Sequence, residues 1–100
     1  MKMYKFDRNG VFETVFANDR DELTDVLADV CGTIVEVAAD CDMTLKEYLA
    51  AWREMAPDEV FSVNGYVTAG VVETRTVAEW IADVGASGPG LFTTTEIGPG

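Results

Sequence analysis

The chain has no histidine. That removes the side chain most often used to move a proton near neutral pH, and with it the usual activator of a serine or cysteine nucleophile. Cysteine is nearly as scarce. Cys31 and Cys41 are too few for a disulfide framework and cannot by themselves close a four-ligand zinc site. Acidic neighbours, Asp29 near the first and Asp40 and Asp42 flanking the second, suppress thiolate formation. Both cysteines are therefore expected to be reduced, with Cys31 in the core, and a thiol enzyme is not expected. No apolar run approaches eighteen residues and no apolar leader follows Met1, so the sequence predicts neither a membrane span nor export, and a cytoplasmic location.

Positive charge is the next shortage: seven Lys and Arg stand against eighteen Asp and Glu, for a net charge of −11. Such a field repels nucleic acid and anionic membranes, so direct binding to either is not expected, and it steers the chain toward strongly basic surfaces. Other chemistries lack their parts. The glycines from Gly85 to Gly90 follow a helical pattern instead of joining a strand to a helix, which is no phosphate loop. Asp40, Asp42 and Thr44 alternate like the opening ligands of a calcium loop, yet Leu45 and Ala51 stand where that loop needs glycine and a bidentate glutamate. Eighteen acids make many carboxylate pairs, and their number makes any one pair uninformative. No enzyme, metal site or cofactor is expected.

What is present is ample apolar material, 48% of 100 residues, enough for one compact domain of about 5,600 Å² surface. An ordinary interface of about 800 Å² per partner would take roughly one-seventh of it. Met3–Phe6 and Val11–Phe16 flank Asn9-Gly10 and read as a hairpin. Leu23, Val26, Leu27, Val30 and Cys31 recur at helical spacing, predicting a helix over Asp19–Cys31 with Asn18 as N-cap. Thr33–Val37 reads as a strand or as more helix. Thr44 with Glu47, and Thr76 with Glu79, each form a T-x-x-E capping box, predicting helices over Leu45–Met55 and from Val77 to Gly85. Val60–Val63, Asn64-Gly65 and Tyr66–Thr68 read as a second hairpin, and residues 86–100 as loop, edge strand and frayed end. The order ββαβαββα, with a final strand at the edge, predicts a single α+β domain over 1–100, about three helices packed on a short antiparallel or mixed sheet.

The acids are not evenly spread: twelve of the eighteen, but only three of the seven bases, lie between Asp19 and Glu59. On the first helix Asp21, Asp25 and Asp29 recur at i, i+4 and i+8, opposite the apolar stripe, with Asp19 and Glu22 beside them. Four residues rise about 6 Å, so the row has nearly the spacing of successive phosphates. Like charges at that spacing cost about 0.2–0.5 kcal/mol per pair. Two readings meet here: a solvated face that keeps the domain soluble, or a surface that meets Arg and Lys. A solubilising face normally mixes both signs, and only Arg20 interrupts this one. Trp52 and Trp80 read as core, whereas Tyr66 and Phe92 are candidate aromatic anchors for an interface.

The opening MKMYKFDRNGVFETVFANDRDEL and its continuation TDVLADVCGTIVEV resemble phage-encoded anti-CRISPR proteins that inhibit type I, particularly type I-F, effector complexes. That group shares no catalytic or binding motif, so no residue role transfers position by position. The resemblance implies a non-enzymatic inhibitor that binds Cas subunits of a guide-RNA surveillance complex and blocks target DNA from being recognised, unwound or hybridised, by mimicry or by occlusion. Such complexes hold DNA in basic channels, so a compact polyanion is a suitable competitor. The alternatives are a small regulatory or adaptor protein for an unrelated basic host factor, or a protein whose charge only solubilises it.

Overall fold

Both strands of the first hairpin carry apolar side chains on both of their faces, which demands cover on each side of the sheet they build. A computed structural model, describing residues 1–8, 11–31, 38–39, 42–64 and 69–93, supplies that cover. Strands β1 (Lys2–Arg8) and β2 (Val11–Ala17) pair antiparallel from Lys2↔Ala17 to Arg8↔Val11, leaving only Asn9-Gly10 between them. They form the middle of a four-stranded sheet. Its edges are β3 (Arg53–Glu54), against β1, and β6 (Gly90–Thr93), against β2.

One face of the sheet presents Tyr4, Phe6, Val15 and Ala17, and it is covered by α1 (Arg20–Cys31) and α2 (Leu45–Ala51) through Leu23, Leu27, Tyr48 and Trp52. The other presents Met3 and Phe16. It is covered by the hairpin β4 (Val60–Asn64) and β5 (Val72–Thr76) and by α3 (Val77–Asp83), through Phe61, Val63, Val77 and Trp80. A 3₁₀ turn, Val84–Ser87, follows α3. Both tryptophans are fully buried, as expected, and fix the two cores. Trp80 also donates its indole N–H to Phe61 O at 2.8 Å.

The domain is α+β, with three helices and six strands in two antiparallel sheets among the described residues. Across the described residues the order is ββααβββαβ, and it departs from the expected one where the second helix ends. The helix expected to run to Met55 stops at Ala51, because Trp52 turns extended (ψ 125°). Arg53 and Glu54 then pair with Lys5 and Tyr4, and Met55 N–H reaches Met3 O at 2.8 Å. The strand that pairs with β4 is Val72–Thr76: Asn64 pairs with Val72, and the connection passes through Gly70 at φ 82°. The edge strand expected near the end is present as β6, with Gly90–Thr93 among the described residues. Thr33–Val37, Tyr66–Thr68, Asp40, Cys41 and residues 94–100 lie outside the described residues, as do the side chains of Val30 and Cys31.

Local capping follows the sequence closely. Thr44 and Thr76 each accept the N–H of the residue three ahead, and Glu47 and Glu79 reach back to the cap backbone. Glu79 is held below the usual carboxylate range by the Thr76 backbone and hydroxyl hydrogen bonds. At the start of α1 the cap is Asp19, not Asn18: Asp19 Oδ1 accepts Glu22 N–H at 2.8 Å. Asn18 sits one residue earlier and gives both its backbone N–H (2.6 Å) and its side-chain amide (2.8 Å) to Glu22 Oε1. Among the described residues no helix is long and apolar enough to cross a membrane.

Candidate protein-docking face

Helix α1 lies with Leu23 and Leu27 buried against the sheet and Val26 half-buried beside them. Helical geometry then turns Asp21, Asp25 and Asp29 outward, and all three are exposed. The structure divides the five acidic candidates in two. Asp19 and Glu22 are engaged in the hydrogen bonds that begin the helix, where a negative charge also suits the helix dipole. Asp21, Asp25 and Asp29 take part in no ion pair among the described residues.

The bases explain why that row stays uncompensated. Lys2 pairs with Glu54 at 3.3 Å, Arg53 grips both carboxylate oxygens of Glu59 at 3.0 Å, and Arg75 bridges Glu73 (2.7 Å) and Asp83 (2.6 Å) while lying over the Trp80 ring. The Arg53 fork holds Glu59 below the usual carboxylate range and is itself raised by the same hydrogen bonds. Arg20, the one base inside the acidic stretch of α1, turns away from it. Its guanidinium donates to Trp52 O (2.7 Å) and Leu49 O (3.3 Å) and lies over the Tyr4 ring, centroid distance 5.6 Å. It thereby satisfies carbonyls left open at the end of α2. Nothing local to Arg20 announces this role, because it depends on where α2 ends in space.

The packing of α1 on α2 leaves a half-open depression of about 370 Å³ lined by Arg20, Leu23, Thr24, Leu49 and Ala50. It too is invisible in the sequence, which does not state that these helices are neighbours. On the same face of the sheet Glu13 stands opposite Phe6 among apolar side chains, and its burial pushes its pKa up.

The aromatic candidates fare differently. Phe92 is not an exposed anchor. Its ring packs between Phe16 (5.0 Å), Trp80 (5.2 Å) and Phe61 (6.3 Å), because β6 joins the sheet and turns that side chain into the second core. Tyr66 lies outside the described residues. No family model, curated protein or solved structure matches the chain, so a functional reading rests on its own residues.

Proposed function

We propose that this chain is a non-enzymatic acidic inhibitor whose Asp21–Asp25–Asp29 face docks on a basic, nucleic-acid-handling surface of a type I CRISPR surveillance complex in the bacterial cytoplasm and blocks target-DNA recognition or hybridisation. The observation that carries the reading is the imbalance on α1: three exposed carboxylates one turn apart without a paired base among the described residues, while Arg20 from the same helix is held on carbonyls at the C-terminal end of α2. Leaving like charges at i+4 unrelieved costs an isolated helix about 0.2–0.5 kcal/mol per pair, and an Arg-lined channel would relieve it. The sequence resemblance supplies the identity of the complex.

The test is competition. Reversing Asp21, Asp25 and Asp29 to lysine replaces attraction with repulsion at three points and should abolish interference with target-DNA loading by a purified type I-F complex. Reversal of Asp58, exposed on the far side of the sheet beside α3, should leave interference intact. A triple variant that is folded by circular dichroism and still blocks loading at the wild-type concentration refutes the proposal.

A further inference from the structure

The geometry points to the α1–α2 depression as the seat for aliphatic side chains of a basic, amphipathic helix of the partner, with Asp21 and Asp25 as its anionic rim. The inference rests on the acidic-face reading and adds the apolar half of the contact. Asp21 follows Arg20 and Asp25 follows Thr24, and one residue on a helix is a turn of about 100°. Two of the three groove-lining residues of α1, Arg20 and Thr24, are thus each succeeded by a carboxylate pointing outward along the same wall. On the opposite wall, Leu45 stands one turn before Leu49 and is 36% exposed, so the apolar strip runs on toward the start of α2. Lys46 stands one turn before Ala50 on the face that lines the groove, is exposed, and has no partner among the described residues.

The two walls therefore differ in charge. An occupant complementary to both is polarised: apolar at its centre, with Arg or Lys on the side facing α1 and none on the side facing α2. The guanidinium of Arg20 keeps its charge, but it is turned to Leu49 O and Trp52 O, and on that wall Asp21 and Asp25 outnumber it. A half-open site of this size, lined by Leu23, Leu49 and Ala50 beside Arg20 and Thr24, fits side chains presented by a surface better than an enclosed small molecule, which is usually buried over most of its area.

The test uses the full chain and two stapled peptide helices of about four turns. Both carry arginines along one flank, one has leucines at i and i+4 on the central face, and the other has asparagines there. Fluorescence anisotropy should show the leucine peptide binding at least about tenfold tighter, equivalent to about 1.4 kcal/mol. Ala50→Leu fills the groove from an exposed helical position and should erase that tenfold preference while leaving the weaker binding common to both peptides. Lys46→Glu should tighten both. Equal affinity for the two peptides, or no binding of the leucine peptide at all, overturns the groove assignment. Loss of affinity for both peptides in the Asp21→Asn/Asp25→Asn variant, alongside that equality, would leave the acidic-face reading standing alone. If the aspartate changes affect neither peptide, the acidic-face reading falls and the groove inference falls with it.

Discussion

Replacing Arg20 by alanine separates what charge predicts from what the fold predicts. From charge alone, removing the one base of α1 makes its face more acidic at no cost to stability. In the structure the guanidinium makes one strong contact, 2.7 Å to Trp52 O, one at the limit of a hydrogen bond, 3.3 Å to Leu49 O, and lies 5.6 Å from the Tyr4 ring centroid. A hydrogen bond from a charged donor contributes about 1.5–3 kcal/mol, the longer contact little, and a partly exposed cation–π contact about 0.5–1 kcal/mol. Arg20 remains partly open to water, so the lower end applies, about 2 kcal/mol. For a domain of this size that lowers Tm by roughly 8–16 °C. Thermal unfolding followed by far-ultraviolet circular dichroism at pH 7 measures it directly. Arg20→Lys keeps the charge but loses the planar fork that reaches two carbonyls and stacks on a ring, so it should restore less than half of the loss. A Tm within about 2 °C of wild type for the alanine variant would mean that Arg20 is a solvated surface residue and that α1 is not tied to α2 through it.

Thr14→Val removes the hydroxyl partner of Thr93 Oγ1 (2.6 Å) and the acceptor of the buried Thr93 N–H (3.2 Å), so it should cost about 2–3 kcal/mol by urea titration, whereas Thr93→Val, which leaves that N–H bonded, should cost only about 1 kcal/mol. Equal losses would show that the N–H contact contributes nothing. Glu13→Gln should raise stability at pH 7, because burial raises the folded pKa of Glu13: its favourable contribution is present below the ordinary carboxylate value and lost as pH rises through the folded pKa. The gain should vanish below about pH 4, where the glutamate is neutral too, and a gain that persists there would rule out a charge effect. Glu59 and Glu79 act in the opposite sense, since their lowered pKa values give stability that is present above the ordinary carboxylate value and lost as pH falls through the folded ones. Glu59→Gln should therefore destabilise at pH 7 and lose its effect in acid. Finally, the purified chain should not shift DNA or RNA in a low-salt mobility assay, and saturable binding of either would contradict the polyanion reading.

The sequence by itself determined most of what depends on residues within a turn or two of one another, the α1 cap falling one residue later, at Asp19, than expected. Asn9-Gly10 between two apolar runs, the 3.6-residue stripe through Leu23 and Leu27, the two threonine capping boxes and the outward row of Asp21, Asp25 and Asp29 follow from backbone period and local hydrogen bonding, which neighbours in the chain suffice to define. The tertiary structure decided whatever depends on which surfaces meet. Helix α2 ends at Ala51 because Arg53 and Glu54 gain partners on β1, and β5 lies at Val72–Thr76, where it pairs with β4 from Asn64↔Val72 to Val60↔Thr76. Phe92 enters the core because β6 completes the sheet edge beside β2. The candidate site divides along the same line: the acidic row can be read from spacing, whereas the diversion of Arg20 to α2 carbonyls, and the groove between α1 and α2, arise only when two helices remote in sequence pack on one face of the sheet. Pairing over such separations is chosen by the sum of many contacts, and no local pattern of residues encodes that sum.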